Sequence, residues 1–258
     1  PEGSTNIPEW PILAKRDGND WVLNGSKLYV TNCGKADLVA FIGLTEDHEM
    51  RCFIVDPSDP GVDDNYIEEK LGLRGNCSGS YFLTDVRVPD EYSFPKNPLE
   101  GFGPGNALCA AVALGCAEGM LAKTMEFVQH RSHKGAPIGS KQVVAHRIAR
   151  MWGQIEQSRA LIYESLGMAD HIIATGDVTS AALTKMLICT SKYTTCEMAI
   201  EVAKQCVWLH GGLGIVEETD IARYLRDAQT LSIADGTPDL HIESVAFLLG
   251  MPNAQLTI

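Results

Sequence analysis

The stretch FPKNPLEGFGPGN, which runs from Phe94 to Asn106, divides the sequence into two halves with different hydrophobic periods. Short apolar segments bounded by turn residues precede it, as expected for strands. Long segments with apolar residues at helical spacing follow it. The pattern predicts an α+β protein with a β-domain over residues 1–95 and a helical domain over residues 96–258.

The first half is predicted to be built from antiparallel strands. Trp21–Thr31, WVLNGSKLYVT, carries Asn24 and Gly25 between apolar arms, which is the strongest short signal for a β-hairpin. Further strands are predicted in LVAFIGL, RCFIVD and YFLTDVRVP. Because no helical pattern interrupts these strands, a sandwich or small barrel is favoured over parallel crossovers.

The second half is predicted to be a bundle of helices. Three long helices, rich in Ala, Leu and Met, are predicted over residues 106–131, 140–173 and 178–210. The segments HKGAPIG, TGD and HGGLG end them with the Gly or Pro that a helix end requires. A short helix near residues 221–227 and a last helix from Pro238 complete the set.

Composition excludes several classes of partner. The chain has 258 residues, 45% of them hydrophobic, and a formal net charge of −12, with no basic stripe that could bind nucleic acid. The longest apolar run, ALCAAVALGCA from Ala107, is shorter than a bilayer requires, so no membrane span is expected. Because the chain begins at Pro1 without a signal-like segment, it is expected to be a fragment or a processed product.

The eight cysteines form no CxxC pair. Cys109 and Cys116 are seven residues apart, as are Cys189 and Cys196, so each pair is predicted to pack on one helical face as reduced thiols of a cytoplasmic protein. His130 and His133 could share a helix face, but no Glu or third ligand accompanies them at metal spacing, and no metal site is predicted.

Two motifs in the second half have both a structural and a functional interpretation. In SIADGTPDLH, Thr237 and Asp239 fit a helix N-cap and a first-turn acid, whereas Asp235 ends a nearly uncharged stretch in which a carboxylate could act as a base. In LHGGLG, Gly211 and Gly212 allow close approach of the backbone to a ligand, although a helix C-cap explains one of them equally well.

In this order along the chain, the motifs resemble those of the acyl-CoA dehydrogenases. WVLNGSKLYVTN resembles the hairpin of that family, KLGLRG and FLTDVRVP its last β-strands, and HRSHKGAPIGSKQ its ERKxFGxPIxxxQ segment. LHGGLG and RYLRDAQTLSIADGT resemble HGGxG and RDAxxxxIYEGT. The resemblance implies an antiparallel β-barrel or sandwich domain followed by an up-down four-helix bundle.

The resemblance also implies FAD as cofactor and an acyl-CoA thioester as substrate. In the reaction that the resemblance implies, a carboxylate removes the α-proton while flavin N5 takes the β-hydride, which gives a 2-enoyl-CoA, and hydrogen bonds to the thioester oxygen hold the developing enolate. Asp235 matches the position of that catalytic carboxylate.

Further site residues follow from the same resemblance. Tyr29 and Thr31 match the aromatic and the threonine that flank the flavin ring, and Ser4 matches a serine of the substrate-side loop. Arg131 matches the arginine that reaches the FAD diphosphate of a neighbouring subunit. Further FAD contacts are implied for Gln142, Gly211, Gly212, Thr237 and Asp239. The ordinary structural alternatives are strand formation for Tyr29 and Thr31, a solvated helix end for Arg131, and helix capping for the glycines.

The sequence departs from the family pattern at several of these sites. Asp235 stands where the family has Glu and is shorter by one methylene, about 1.5 Å of reach. Lys134 replaces the aromatic of the FG pair, Trp208 replaces a Gln, and Asn106 stands where many members have Arg. Family members open with a helical domain, and this sequence begins inside the loop that follows it, so the resemblance implies either that the domain is missing from the chain as given or that another polypeptide provides it.

The resemblance predicts a homo- or hetero-oligomer such as a homotetramer built as a dimer of dimers, with an electron acceptor such as electron-transfer flavoprotein. The shorter acid at Asp235 favours a bulky or cyclic acyl group. Two alternatives remain open, a non-catalytic partner subunit and a flavin-dependent monooxygenase of the same fold. The expected location is the cytoplasm, or the mitochondrial matrix in a eukaryote.

Overall fold

The computed structural model describes residues 12–96 and 105–254. The chain divides into two compact units, Pro1–Gly101 and Phe102–Ile258. The described part of the first unit is built from strands and that of the second from helices, so the α+β class is confirmed. The boundary between residues 95 and 96 stays a prediction, because it adjoins residues outside the described part.

The first unit contains a seven-stranded sheet in the order β5-β6-β2-β1-β3-β4-β7. Its strands are β1 (Ile12–Asp17), β2 (Asp20–Thr31), β3 (Val39–Thr45), β4 (Met50–Val55), β5 (Val62–Ile67), β6 (Ser78–Pro89) and β7 (Ser93–Pro95). The strands predicted in LVAFIGL, RCFIVD and YFLTDVRVP are confirmed as β3, β4 and β6. Neighbouring strands pair antiparallel, as predicted, except β1 and β3, which are parallel with Leu13 opposite Leu44.

The predicted hairpin turn at Asn24 and Gly25 is wrong. Strand β2 continues through both residues, and the tight turn lies before it, where Asp17 pairs with Asp20. Asn24 and Gly25 instead lie at a register shift between β2 and β6. The Asn24 side chain exchanges two hydrogen bonds of 3.0 Å with Asp85 across this irregularity. A β-bulge and a hairpin turn favour the same residue pair, because both need a backbone that glycine tolerates.

The stretch KLGLRG over residues 70–75 is also not a strand. Leu73 has a φ of +51°, which is incompatible with extended backbone. Lys70 donates hydrogen bonds to the carbonyl of Asn76 and, at 2.9 Å, to the hydroxyl of Ser78. The lysine therefore closes a loop that leads into β6.

The core of the sheet is aromatic. Phe53 and Tyr81 are fully buried, and each packs edge to face against another ring, Trp21 at 5.8 Å and Phe41 at 5.3 Å between centroids. These contacts connect β2, β3, β4 and β6 and hold the sheet that carries Tyr29.

The second unit contains five described α-helices. They are α1 (Gly105–His130), α2 (Gln142–Thr175), α3 (Ala181–His210), α4 (Asp220–Ile233) and α5 (Pro238–Leu248). The three long helices are confirmed, and α3 packs against the other four. Helix α4 packs against α1 and α3, and α5 packs against α3. Helix α4 is longer than predicted. A small hairpin of β8 (Ser132–His133) and β9 (Ala136–Pro137) joins α1 to α2.

Helix α1 combines length and apolar composition. Among the described helices it alone could cross a membrane by these two criteria, and half of its most apolar stretch is buried within the protein. The expectation that this run is too short is therefore wrong as to length, since α1 has 26 residues. Its buried face, which includes Ala110, Ala113 and Met120, is typical of the central helix of a bundle.

The eight cysteines are all free, and six of them are buried, which confirms their packing role. Among the described residues, no cluster of three or more His, Cys, Asp or Glu side chains could hold a metal ion.

Candidate functional site

Asp235 lies on the turn between α4 and α5 with a φ of +54°. Asp and Asn adopt this left-handed conformation more readily than other residues with a side chain. Its carboxylate is exposed and accepts no hydrogen bond from the part of the chain that the structure describes. The carboxylate is therefore free to meet a ligand.

Lys192 holds the turn from inside the bundle. Its side chain is 0% exposed, and its ammonium group donates hydrogen bonds to the carbonyl of Ser232, at 2.8 Å, and to that of Gly236. These carbonyls lie on either side of Asp235 along the chain. The ammonium group therefore joins the end of α4 to the start of α5.

Two further side chains hold the carbonyl oxygen of Asp235 itself. Asn106 donates to it from the start of α1 through Nδ2 at 3.0 Å. His241 donates to it from α5 through Nε2, also at 3.0 Å, which leaves Nδ1 unprotonated. Burial and, to a smaller extent, the positive charge of Lys192 together lower the pKa of His241 to about 4. The ring is therefore neutral near pH 7.

Thr237 and Asp239 lie where helix α5 begins. Thr237 is its N-cap and Pro238 its first residue, as the capping interpretation predicts. The Thr237 side chain makes no capping hydrogen bond, however, so its hydroxyl does not serve the helix end. Asp239 is exposed in the first turn. Both side chains remain available to a ligand close to Asp235.

A second group of predicted residues meets where α1 and α3 end and α2 begins. Phe127 in the last turn of α1 stacks on His210, the last residue of α3, with ring centroids 4.2 Å apart. Arg131 follows α1 directly and is exposed, and its carbonyl accepts a hydrogen bond from Ile138 at 2.8 Å. Gln142 then begins α2. The structure thus places Arg131 and Gln142 at the end of the bundle where the two glycines follow His210.

The glycines of HGGLG serve different purposes. Gly211 has a φ of +61° at the end of α3, in agreement with the capping interpretation. A Cβ atom on Gly214 would lie 2.4 Å from the carbonyl oxygen of Val207, so this glycine is required by packing. A Cβ atom on Gly212 would meet nothing within 4 Å, and its φ is not positive. Gly212 therefore has no evident role within the chain, and contact with a ligand would explain it.

The two groups of residues lie at opposite ends of α1. Asn106 at its start contacts the Asp235 turn, and Phe127 near its end contacts His210. At a rise of about 1.5 Å per residue, these contacts are about 30 Å apart. Within one chain, Asp235 and Arg131 do not form a single site.

Tyr29 and Thr31 are described within the first unit. Tyr29 is 73% exposed and has a φ of +55°. It lies between Lys27 and Val30, where the pairing of β2 with β6 has a second register shift. A bulky residue in the left-handed region is strained, and such strain is concentrated at functional sites. Thr31 is exposed at the end of β2. The predicted Ser4 lies outside the described residues.

The residues that depart from the family pattern all lie in the described part of the chain. Lys134 lies in the turn of the small hairpin with a φ of +53° and is exposed. Trp208 is 57% exposed, with the guanidinium of Arg147 at 6.0 Å from its ring centroid. Asn106 forms the hydrogen bond to the Asp235 carbonyl described above.

Sequence reasoning did not identify Lys192 or His241. Lys192 occupies the same helical face as Cys189 and Cys196, three residues after one and four before the other. A lysine on an apolar face is the signal that could have revealed it, because such a charge is rarely buried without partners. His241 has no comparable signal, since it is one residue of an ordinary helix start.

A sheet unit followed by a helical unit defines an α+β protein. The model of the acyl-CoA dehydrogenase middle domain matches residues 3–86, and that of the acyl-CoA dehydrogenase C-terminal domain matches residues 97–249. The chain belongs to the acyl-CoA dehydrogenase family.

Relatives and solved structures agree with this assignment. The short-chain specific acyl-CoA dehydrogenase of Megasphaera elsdenii is 29% identical over 244 residues, which cover 90% of this chain and 61% of the relative. The solved butyryl-CoA dehydrogenase of that organism matches this chain with a TM-score of 0.87 at 27% identity. The match covers 96% of this chain and 66% of the butyryl-CoA dehydrogenase chain.

A glutaryl-CoA dehydrogenase of Mycobacterium smegmatis, solved in complex with FADH2, matches this chain with a TM-score of 0.86 at 27% identity. The match covers 99% of this chain and 64% of the glutaryl-CoA dehydrogenase chain. The chain thus spans about three fifths of the length of the curated relatives that it matches.

Proposed function

We propose that this protein acts in the FAD-dependent α,β-desaturation of an acyl-CoA thioester. Asp235 removes the α-proton, the electrons of that C–H bond form the new double bond, and the β-hydrogen leaves with its electron pair. FAD, when bound, supplies the acceptor for this hydride. The observation that carries the proposal is an exposed carboxylate on a left-handed turn whose carbonyls are held by side chains of α1, α3 and α5.

The residues present fit a dinucleotide such as FAD. Gly212 leaves an open approach to the backbone, Arg131 offers an exposed guanidinium, and the Thr237 hydroxyl is not used as a helix cap. A guanidinium binds two phosphate oxygens at once, and backbone N–H groups near a glycine bind them without steric hindrance. Gln142 adds a polar group near Arg131, and Asp239 adds one near Asp235. Tyr29 and Thr31 are proposed to contact the flavin ring from the sheet unit, and Ser4 the substrate.

The proposal requires a second copy of the chain or a homologous partner. The two groups of residues are about 30 Å apart along α1, which is far more than the short ribityl chain that separates the ring of FAD from its diphosphate. If a flavin ring were bound near Asp235, its diphosphate would be held by the partner subunit's Arg131. We propose a dimer, or a dimer of dimers, as the active form. A monomeric mass in light scattering of the flavin-loaded full-length protein would contradict this.

An apolar groove supports the proposed association. It has a volume of about 520 Å³ and lies between the end of α1 and the start of α2. Val128, Val144 and Trp152 line it, and Trp152 is 60% exposed. Burial of this groove by another subunit would remove apolar surface from water next to the proposed diphosphate site.

The substrate is proposed to be an acyl-CoA with a bulky or cyclic acyl group. Asp235 reaches about 1.5 Å less far than a glutamate, which leaves more room beside the carboxylate for a crowded α-carbon. The electron acceptor is proposed to be electron-transfer flavoprotein, and the location the cytoplasm or the mitochondrial matrix, where free cysteines such as these stay reduced.

The decisive experiment is the visible spectrum of the purified full-length protein under anaerobic conditions, before and after addition of a panel of acyl-CoA esters. A yellow protein that bleaches with one ester class supports desaturation and identifies the substrate. A colourless protein that takes up no added FAD would instead support a non-catalytic partner subunit. A yellow protein that bleaches only with NADH or NADPH would support a monooxygenase.

A further inference from the structure

Lys192 is a fully buried lysine in the middle of α3. Both acceptors of its described hydrogen bonds are neutral backbone carbonyls rather than a carboxylate. Removing an ammonium group from water is unfavourable, and neutral acceptors offset that penalty less well than an opposite charge does. A methionine or leucine would pack at this position without the penalty, so the lysine has a role beyond filling the core.

The two carbonyls are those that control the turn. Ser232 lies in the last turn of α4, where carbonyl groups have no partner within the helix. A positive charge at this end of a helix also interacts favourably with the helix dipole. Gly236 directly precedes Thr237, the N-cap of α5. The Lys192 ammonium therefore fixes both the exit from α4 and the entry into α5.

The conformation between these two points is one that a side chain disfavours. Asp235 has a φ of +54°, and a non-glycine residue stays in the left-handed region only where the surroundings enforce it. Asn106 and His241 hold one carbonyl, that of Asp235. Lys192 is the residue among these three that holds the backbone both before and after Asp235.

We propose that Lys192 is a positioning residue for the Asp235 carboxylate. By holding the carbonyls of Ser232 and Gly236, it maintains the backbone conformation that presents the carboxylate to the α-carbon of the substrate, and it does not itself touch the substrate. This inference rests on the proposed function. Burial lowers the pKa of Lys192, while nearby groups that include the Asp235 carboxylate raise it, so the two side chains interact electrostatically as well as through the backbone.

The test is a double-mutant cycle on the flavin-loaded full-length protein. Lys192→Met keeps the apolar stem and removes the ammonium group. Because a displacement of about 1 Å at a reacting group can slow catalysis roughly a hundredfold, we expect flavin reduction to become ten to a hundred times slower, with FAD content and KM changed less than about threefold. In an Asp235→Asn background, Lys192→Met is expected to slow the residual reaction less than about twofold.

Lys123→Met is the matched control. Lys123 is an exposed lysine of α1 that contacts Asp220 at the beginning of α4, the end opposite the turn, through an ion pair of 3.0 Å. Its substitution is expected to leave flavin reduction unchanged. A wild-type rate in Lys192→Met, or an equal loss in the wild-type and Asp235→Asn backgrounds, would overturn the proposal, because a residue acting through Asp235 loses its effect when the carboxylate is gone.

Hydrogen exchange provides a readout that does not depend on activity. Amide exchange over residues 232–237 is expected to be at least tenfold faster in Lys192→Met than in the wild type or in Lys123→Met. If no acyl-CoA reduces the wild-type flavin, the proposed function fails, and unchanged exchange would separately overturn the positioning role. If Lys192→Met does not fold, Lys192→Gln, which removes the charge and shortens the side chain, replaces it in the same cycle, and a wild-type rate or an equal loss in both backgrounds would again overturn the proposal.

Discussion

Asp235→Asn separates the chemical role of the side chain from its structural role. Asparagine has the same size and tolerates the left-handed conformation equally well. The described hydrogen bonds at this residue are made to its carbonyl oxygen, by Asn106 and His241, and the carboxylate is exposed. We therefore expect the free energy of unfolding to change by less than about 0.5 kcal/mol, as for surface substitutions in general.

The effect on the reaction is expected to be much larger. An amide cannot accept the α-proton, and a positioned general base contributes roughly 10²- to 10⁴-fold to such a step. At about 1.36 kcal/mol per factor of ten, this raises the barrier by about 2.7 to 5.4 kcal/mol. Flavin reduction by the substrate is therefore expected to be at least a hundred times slower in Asp235→Asn, with FAD binding unchanged.

Anaerobic stopped-flow absorbance of the flavin band measures this rate directly. Asp177→Asn, which removes an exposed acid from the loop between α2 and α3, is the matched control and should behave as the wild type. Asp235→Glu extends the test, because a longer acid should impair turnover of a bulky ester and improve that of a straight-chain ester. Wild-type flavin reduction in Asp235→Asn would refute the assignment and reduce Asp235 to a turn residue.

Three further predictions concern the cofactor and stability. Arg131→Lys keeps the charge but loses the planar fork, so FAD affinity in a titration should fall roughly ten- to a hundredfold if the contact contributes about 1.5–3 kcal/mol, and an unchanged curve would exclude the contact. Gly212→Ala should leave the melting temperature unchanged and weaken FAD binding, whereas Gly214→Ala, which places a Cβ atom 2.4 Å from a backbone oxygen, should destabilise the fold. If Gly212→Ala binds FAD normally, that glycine does not face the cofactor. His241 has a pKa lowered to about 4 in the folded protein, so the unfolded chain binds its proton more readily. Stability from this residue is present above pH ~6.5 and falls as the pH drops towards 4, by roughly 2 kcal/mol between pH 7 and 4.5, and urea titrations should show a smaller fall in His241→Gln.

The sequence by itself determined the class of fold, because hydrophobic period is a local property. The change of period at residues 94–106 separates strands from helices, and the three long helices have the ends predicted for them to within a few residues. Thr237 and Pro238 begin α5 as their types predict, since capping involves only neighbouring residues. The order of the motifs was also sufficient to identify the family, which the two matching domain models confirm.

Only the tertiary structure decided how the candidate base is held and which glycines are not required by packing. Asn24 and Gly25 form a bulge rather than a turn because strand β6 provides the Asp85 side chain that pairs with Asn24, a contact between residues 61 apart. The hydrogen bond from Asn106 to the Asp235 carbonyl joins residues 129 apart, and that from Lys192 to Ser232 joins residues 40 apart. Such contacts depend on how helices pack, which local propensity does not specify, because the free energy of each contact is realised only when all the packed elements are in place.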